Sequence, residues 1–436
     1  MSDDPILMDG VGTWETSQAG HILDQIFSSG HPADRVLDRF FREHRLGPGE
    51  RGRIGTMVYQ VLRHRDFLSA QLNHHFPRST HGCAALAAMA VVSIRRDGNK
   101  DPGPWPGILA TEPESNTPFQ DDFPADTLPS WQRHSLPRWI WDIWMARHGH
   151  EETQALVQAL NSPAPVDLRL DLRRMTREEL LSRLAVQGIK GEPLPFSPDG
   201  LRLHGRPSVT SLPEFGQGLL EIQDEGSQLI GHVVGVRPGM TVVDFCAGAG
   251  GKSLHLAVLM NDRGRIWATD SDPSRLNRMK PRLKRWRLKS IRPLALRHEG
   301  DPALKKLQGS ADRVLVDAPC SASGTLRRNP EIKWRLTPEL LENFHLRQCA
   351  ILQAAARLTA PQGRLVYATC SLMPRENEDV VEEFLFENKN FRLLPHSTIS
   401  MPESLRGLLP PSPFLILLPH RTRTDGFFAA ILERTY

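Results

Sequence analysis

Apolar positions in the N-terminal part of the chain recur every three or four residues. Ile22, Leu23, Ile26 and Phe27 form one stripe, Val36, Leu37, Phe40 and Phe41 a second, and Ile54, Met57, Val58, Val61 and Leu62 a third. Each is one-sided, as in an amphipathic helix, and breaks such as "SSGHP" and "LGPGE" separate them. A further apolar run from Cys83 to Ile94 completes an all-helical bundle, predicted over residues 1–97. Cys83, among alanines, is expected in its core.

The periodicity then stops. Seven prolines fall between Pro102 and Pro129 with no apolar repeat, which predicts a linker over residues 98–133. In "HSLPRWIWDIWMARHG", Ser135 suits a helix cap and Pro137 a first turn, with Trp139, Ile140, Ile143 and Trp144 as the buried stripe. "PVDLRLDL" alternates like a strand, "MTREELLSRLAVQGI" carries Thr176 and Glu179 at capping-box spacing, and short strand patterns surround "DGLRLHG" and "LLEIQDEG". A small α+β module is therefore predicted over residues 134–225.

From about Gln228 the texture changes again. "TVVDFC", "GRIWATD", "DRVLVDAP" and "GRLVYATC" are short β-branched or apolar runs, each followed by turn residues and a helical pattern. Strands alternating with helices predict an α/β fold with a doubly wound parallel sheet over residues 226–436. Such sheets bind ligands outside the carboxyl ends of their strands.

A chain of 436 residues is long for one core, so several domains agree with its length. No uncharged apolar run approaches the ~20 residues of a membrane span. "MSDDPILMDGVGTW" lacks the basic-then-apolar order of a secretory leader, so a cytoplasmic, membrane-free protein is expected. Its five cysteines are scattered without a CxxC pair, which argues for reduced thiols and against a zinc site. No metal is expected, and a monomer is. The net charge of +4 says little about partners, but Arg275 to Arg292 holds nine Lys or Arg and no acid. Leu276, Met279, Leu283 and Trp286 give that helix a buried side, and its basic face is compatible with phosphate contacts.

Candidate chemistry gathers at the strand ends. "VVDFCAGAGGKSLHLA" is a strand ending in an acid, a loop of small residues and a helix. It is not a nucleotide phosphate loop, because that spacing would need glycine at Cys246. Asp270, at the end of the next apolar run, is placed to accept ribose hydroxyls, with a helix cap as its other reading. Loop plus acid indicates a nucleoside cofactor, either a dinucleotide or S-adenosylmethionine. Asp317, Pro319 and Cys320 follow one strand, and Thr369, Cys370 and Ser371 follow another. If these strands are neighbours, both thiols enter one cleft, whereas Cys349, in "LRQCAILQAAARL", reads as a core residue. A thiolate added to carbon 6 of a pyrimidine makes carbon 5 nucleophilic toward an electrophilic methyl. The dipole of the helix in "SLMPRENEDVVEEFLF" would favour a thiolate at Cys370, while Glu376 and Glu378 would oppose it.

"DFCAGAGGKS", "DAPCSASGTLRRNPEIKW" and "YATCSLMPRENE", with "QDEGSQL" and "TDGFFAAIL", resemble the signature segments of the Sun/Nop (RsmB-like) family of S-adenosylmethionine-dependent RNA cytosine-5 methyltransferases. The resemblance spans roughly residues 220–436. The N-terminal helices resemble the NusB-like RNA-binding domain of that family's bacterial ribosomal RNA members, and the middle module its small RNA-binding insert. By resemblance the methyltransferase sheet is Rossmann-like, Cys370 is the nucleophile and Cys320 assists release of the product. Cys246, Ala247, Gly248, Ala249, Gly250, Gly251 and Lys252, with Asp270, Asp301 and Asp317, would hold S-adenosylmethionine. Asp317 would also face the cytosine ring. Ala249 stands where the family usually has proline. The partner implied is RNA, ribosomal first and transfer RNA next. The basic run, with Arg327, Arg328, Lys333 and Arg335, is expected to touch its backbone. A non-catalytic RNA-binding or assembly factor is the rival reading, which the two thiols and the cofactor acids oppose.

Overall fold

The computed structural model describes residues 12–77, 82–97, 123–399 and 401–436. It divides into two compact units, Met1–Pro163 with Thr325–Leu336, and Ala164–Gly324 with Thr337–Tyr436. Most of the proline-rich stretch expected as a linker lies outside the described residues. Among the described residues no helix is long and apolar enough to cross a membrane.

The first unit contains helices α1 (Thr13–Ser29), α2 (Ala33–His44), α3 (Pro48–His75) and α4 (Cys83–Asp97). The stripes read from the sequence meet in one core, with Ile22, Leu23, Ile54, Met57, Val58 and Val61 fully buried. Helix α1 can approach α4 closely because Gly20 has no side chain. A Cβ there would lie 2.7 Å from the Ala84 backbone. Helix α3 kinks at His64, whose φ of −124° and ψ of 23° leave the helical region. A kink frees backbone groups that need other partners. Lys333 Nζ donates to the Arg63 carbonyl at 2.6 Å, Trp334 Nε1 donates to Leu62 O at 2.7 Å, and the Phe67 amide donates to Ser135 Oγ at 3.0 Å. Segment Thr325–Leu336 therefore belongs here by its contacts, although its neighbours in sequence do not. Ser135 is not the cap expected of it. The helix α5 (Arg138–His148) has Pro137 at its N-cap. With α6 (His150–Asn161) it is grouped in the first unit, although both helices were expected in the middle module.

The second unit holds two sheets. The smaller runs β2 (Gly191–Pro193), β3 (Gly200–Leu203), β1 (Val166–Leu170), β4 (Leu220–Ile222), all antiparallel. Helix α7 (Arg177–Val186) packs Leu180 and Leu184 into the core with Leu168, Leu170, Leu201 and Leu220. Its capping box forms as the sequence predicts, Thr176 Oγ1 accepting from the Glu179 amide and Glu179 Oε2 from the Thr176 amide.

After α8 (Glu225–Val233) the larger sheet begins. Its parallel part contains β5 (Thr241–Asp244), β6 (Arg265–Asp270), β7 (Ile291–Ala295), β8 (Ala311–Asp317) and β9 (Thr359–Thr369). Helices α9 (Gly251–Leu259), α10 (Pro273–Trp286) and α11 (Pro338–Ala356) connect them, and α12 (Glu378–Glu387) follows. Antiparallel β10 (Phe391–Leu394), β11 (Leu415–Leu417) and β12 (Phe427–Arg434) complete the order β10-β12-β9-β8-β5-β6-β7, with β11 beside β12. The four predicted strands are β5, β6, β8 and β9. Strand β7 was not predicted, since Arg292 and Pro293 interrupt its apolar pattern, and proline is tolerated there because β7 is an edge. The chain leaves β5 toward β6 and later returns to its other side at β8. That reversal opens the sheet at its carboxyl end, where the switch-point rule puts a ligand.

Candidate active site

Strand β5 ends at Asp244, a buried carboxylate that accepts the Ser253 hydroxyl at 2.5 Å. Burial pushes this carboxyl up to about 7. The loop that follows is fastened to β6 by backbone bonds, Ala247 N–H to Thr269 O at 2.8 Å, and by the Thr269 hydroxyl to Phe245 O at 2.7 Å. Gly250 has φ +85°, and a Cβ there would sit 2.6 Å from Met279 Cγ, so both the turn and the packing require glycine.

Asp270 ends β6. Its Oδ2 accepts from Gly248 N–H at 2.9 Å and its Oδ1 from Asp272 N–H at 2.8 Å. The cap of α10 is Asp272, which accepts from the Ser274 amide, so the capping reading falls to that residue and not to Asp270. The oriented Asp270 carboxylate lines a cavity of about 960 Å³ together with Cys246, Gly248, Asp317 and Cys320. This wall suits a nucleoside: a fixed carboxylate for ribose hydroxyls, beside backbone opened by glycine. Lys252 is committed elsewhere, donating to Asp317 Oδ2 at 2.7 Å and lying 5.5 Å from the centre of the Phe427 ring.

Not every expected cofactor residue lines this cavity. Cys246, Ala247, Gly248, Ala249, Asp270 and Asp317 do; Gly250, Gly251, Lys252 and Asp301 stand behind the wall. Asp301 caps the turn Pro302–Leu307, accepting from Ala303 N–H at 2.9 Å and from Arg297 N–H and Nε at 3.0 Å. These donors hold its carboxyl well below the usual range. Its bonds to Arg297 fix the segment after β7, where Leu296 to Glu299 form another face of the cavity.

The two strand-end thiols meet. Asp317 and Ala368 are partners in the β8/β9 register, and the Cys320 and Cys370 sulfurs lie 3.4 Å apart. The Cys370 sulfur, burial and the Glu376 charge push the Cys320 thiol well above its ordinary value, so Cys320 keeps its proton. Behind the pair, buried Glu376 joins the two loops. Its Oε1 accepts from Ser321 N–H at 2.7 Å and Gln348 Nε2 at 3.1 Å, and its Oε2 from the Ser321 hydroxyl at 2.5 Å and the Ser371 hydroxyl. Ser321 follows Cys320 and Ser371 follows Cys370, so one carboxylate sets both loops. Glycines bring in a third strand, since the Gly324 amide donates to Cys370 O at 2.9 Å and the Gly426 amide to Gly324 O at 2.8 Å.

Sequence reasoning missed this role of Glu376. Its signal was a glutamate near two serine-bearing turns, which has meaning only once the turns are paired. The helix whose dipole was expected to favour a thiolate at Cys370 is α12, which starts at Glu378, eight residues further along the chain. The nearby cation is Lys252. Burial opposes its charge, but Asp317 and the Cys370 sulfur hold its ammonium above the ordinary value. Cys349 is half-buried beside Glu383, 3.5 Å away, and is not a core residue. Lys333, expected to touch RNA backbone, is 1% exposed at the α3 kink, with its charge disfavoured by burial. Arg282 and Arg285, from the basic run, pair with Glu221, while Arg275, Arg278, Lys280, Lys284, Arg287, Lys289 and Arg292 are exposed.

Comparison with known proteins gives concordant results. A family model described as 16S rRNA methyltransferase RsmB/F matches residues 232–433, and one described as an RsmF/B-like ferredoxin-like domain matches residues 136–210. A probable ribosomal RNA small subunit methyltransferase B of Synechocystis is 35% identical, covering 95% of this chain and 98% of that protein. The probable enzyme of the same description from Bacillus subtilis is 30% identical over 88% of this chain and 84% of its own. Among solved structures, a protein named PH0851 superposes with a TM-score of 0.76 at 25% identity, covering both chains completely.

Proposed function

The chain belongs to the RsmB/F family of 16S rRNA methyltransferases, and we propose that it forms 5-methylcytosine in small-subunit ribosomal RNA through a bond from Cys370 to carbon 6 of the target base. The observation that carries this reading is the 3.4 Å separation of the Cys370 and Cys320 sulfurs beside the Asp270 cavity. S-adenosylmethionine, the cofactor of the family, supplies an electrophilic methyl when bound. Cys246 to Ala249 would form one wall of its site, and Asp270 would take the ribose hydroxyls.

The Cys370 thiolate adds to carbon 6 and pushes a pair of ring electrons toward carbon 5. Asp317, held by Lys252 at 2.7 Å, accepts a hydrogen bond from the amino edge of the ring and orients it. Carbon 5 would then accept the methyl that the bound cofactor supplies, with S-adenosylhomocysteine as the leaving group, and lose its proton to a base. The carbon–sulfur bond breaks, its electrons return to Cys370, and Cys320 assists that release. A stacked base cannot enter a strand-end cleft, so the target is single-stranded or flipped out. Ribosomal RNA as substrate implies work in the cytoplasm.

Labelled methyl donor incubated with small-subunit ribosomal RNA should yield 5-methylcytosine. Cys370→Ala should abolish it, and Cys320→Ala should leave a protein–RNA adduct that survives denaturing electrophoresis. Normal methylation by Cys370→Ala would overturn the mechanism.

A further inference from the structure

The loop Cys246–Lys252 is fastened from the small sheet as well as from its own. Glu221, on β4, is a buried carboxylate whose Oε2 accepts from Arg282 Nε at 2.9 Å and Nη2 at 2.7 Å, and whose Oε1 accepts from Arg285. Held in that fork, Arg282 turns its remaining nitrogen to the loop, Nη1 donating to the Ala249 carbonyl at 2.7 Å. A second arginine acts beside it. Arg169, on β1 and fully buried, donates to the Gly251 carbonyl at 2.9 Å and to Gln223 Oε1 at 2.5 Å, with its guanidinium 5.1 Å from the centre of the Trp286 indole.

A guanidinium can do this because its donors lie in one rigid plane, so fixing two of them fixes the third. The loop needs outside support at this point. Ala249 leaves φ free where a proline would lock it, and Gly248 and Gly250 on either side have positive φ. Arg285 shares Glu221 but makes no bond to the loop among the described residues; it stacks over Phe215 at 4.0 Å.

We propose that Arg282, held by Glu221, is a positioning residue for the cofactor: the small sheet sets the conformation of the Cys246–Ala249 wall through the Ala249 carbonyl. The inference rests on the assignment of that loop to S-adenosylmethionine and adds to it a control point on a different sheet. It gives the small sheet a part in cofactor binding that is separate from any contact with RNA.

The test is calorimetric titration of the whole protein with S-adenosylhomocysteine, in parallel with thermal unfolding of the free protein. Arg282→Met should bind about tenfold more weakly, the scale of one lost charge-assisted bond. Glu221→Gln should weaken binding in the wild-type background and add nothing in the Arg282→Met background. Arg285→Met should bind as the wild type does. Arg282→Lys, which keeps a charge for Glu221 but cannot span both partners, should also bind weakly with its unfolding temperature retained, and it carries the test if the methionine variant does not fold. Wild-type affinity in both Arg282 variants, or an equal loss in Arg285→Met, overturns the proposal. Failure of the wild type to bind would overturn the cofactor assignment beneath it as well.

Discussion

Glu376 accepts from two serines and a glutamine, and the serines each follow one of the paired thiols. Every partner is a donor, so the site needs an acceptor with both oxygens free of protons. Burial pushes the carboxyl up, and the bonds from Ser321, Ser371 and Gln348 oppose that shift. Glutamine would keep the shape and replace one acceptor with a donor aimed at other donors. Glu376→Gln should lower the methylation rate by about 100-fold, the scale of a small misplacement of reacting groups, with affinity for S-adenosylhomocysteine unchanged. Equal rates in variant and wild type, measured at saturating RNA, would remove the clamp from the mechanism.

Strand β5 ends in a group that titrates near neutrality. The Asp244 carboxyl rises from an ordinary 3.8 to about 7 in the folded protein. The unfolded chain therefore loses this proton first, and between those values the folded state binds more protons. Its contribution to stability is present below the lower value and is lost as pH rises through the upper one. Asp244→Asn keeps an acceptor for Ser253 without the charge. Urea unfolding should show the variant gaining on the wild type between about pH 4 and about pH 7. Helix α10 invites a different measurement. Arg278 and Lys280 are exposed, so replacing either with glutamine should weaken RNA binding and lower its salt slope by about one, as loss of a phosphate contact does. Cofactor affinity should not move, which separates these residues from Arg282 on the same helix.

At the scale of the whole molecule, the chain is divided in a way that crosses its sequence order. Segment Thr325–Leu336 starts five residues after Cys320, yet groups with the N-terminal helices. There Lys333 and Trp334 satisfy the carbonyls that the α3 kink releases. A fragment of residues 1–163 should therefore unfold at a lower temperature than the helical unit within the full chain. Adding a peptide of residues 325–336 should raise that temperature, and a peptide with Lys333→Met and Trp334→Ala should not. An identical melting curve with either peptide would show that the segment contributes nothing to the unit.

The sequence by itself determined the elements whose cause is local. Helical stripes such as Ile54 to Leu62, the Thr176 capping box and the four strands ending near Asp244, Asp270, Asp317 and Thr369 depend on spacing and turn chemistry within a few residues. It also put the chemistry at strand ends, because in a doubly wound sheet a residue just past a strand faces the ligand side. Tertiary structure alone decided which of these ends adjoin. The 3.4 Å contact of Cys320 with Cys370 follows from β8 pairing with β9, a fact no local pattern states. The same holds for charge. Lys333 and Arg282 read as surface cations because basic residues usually are, and each is instead used by backbone carbonyls brought from far along the chain. A buried polar group needs a partner, but sequence cannot say which one folding will supply.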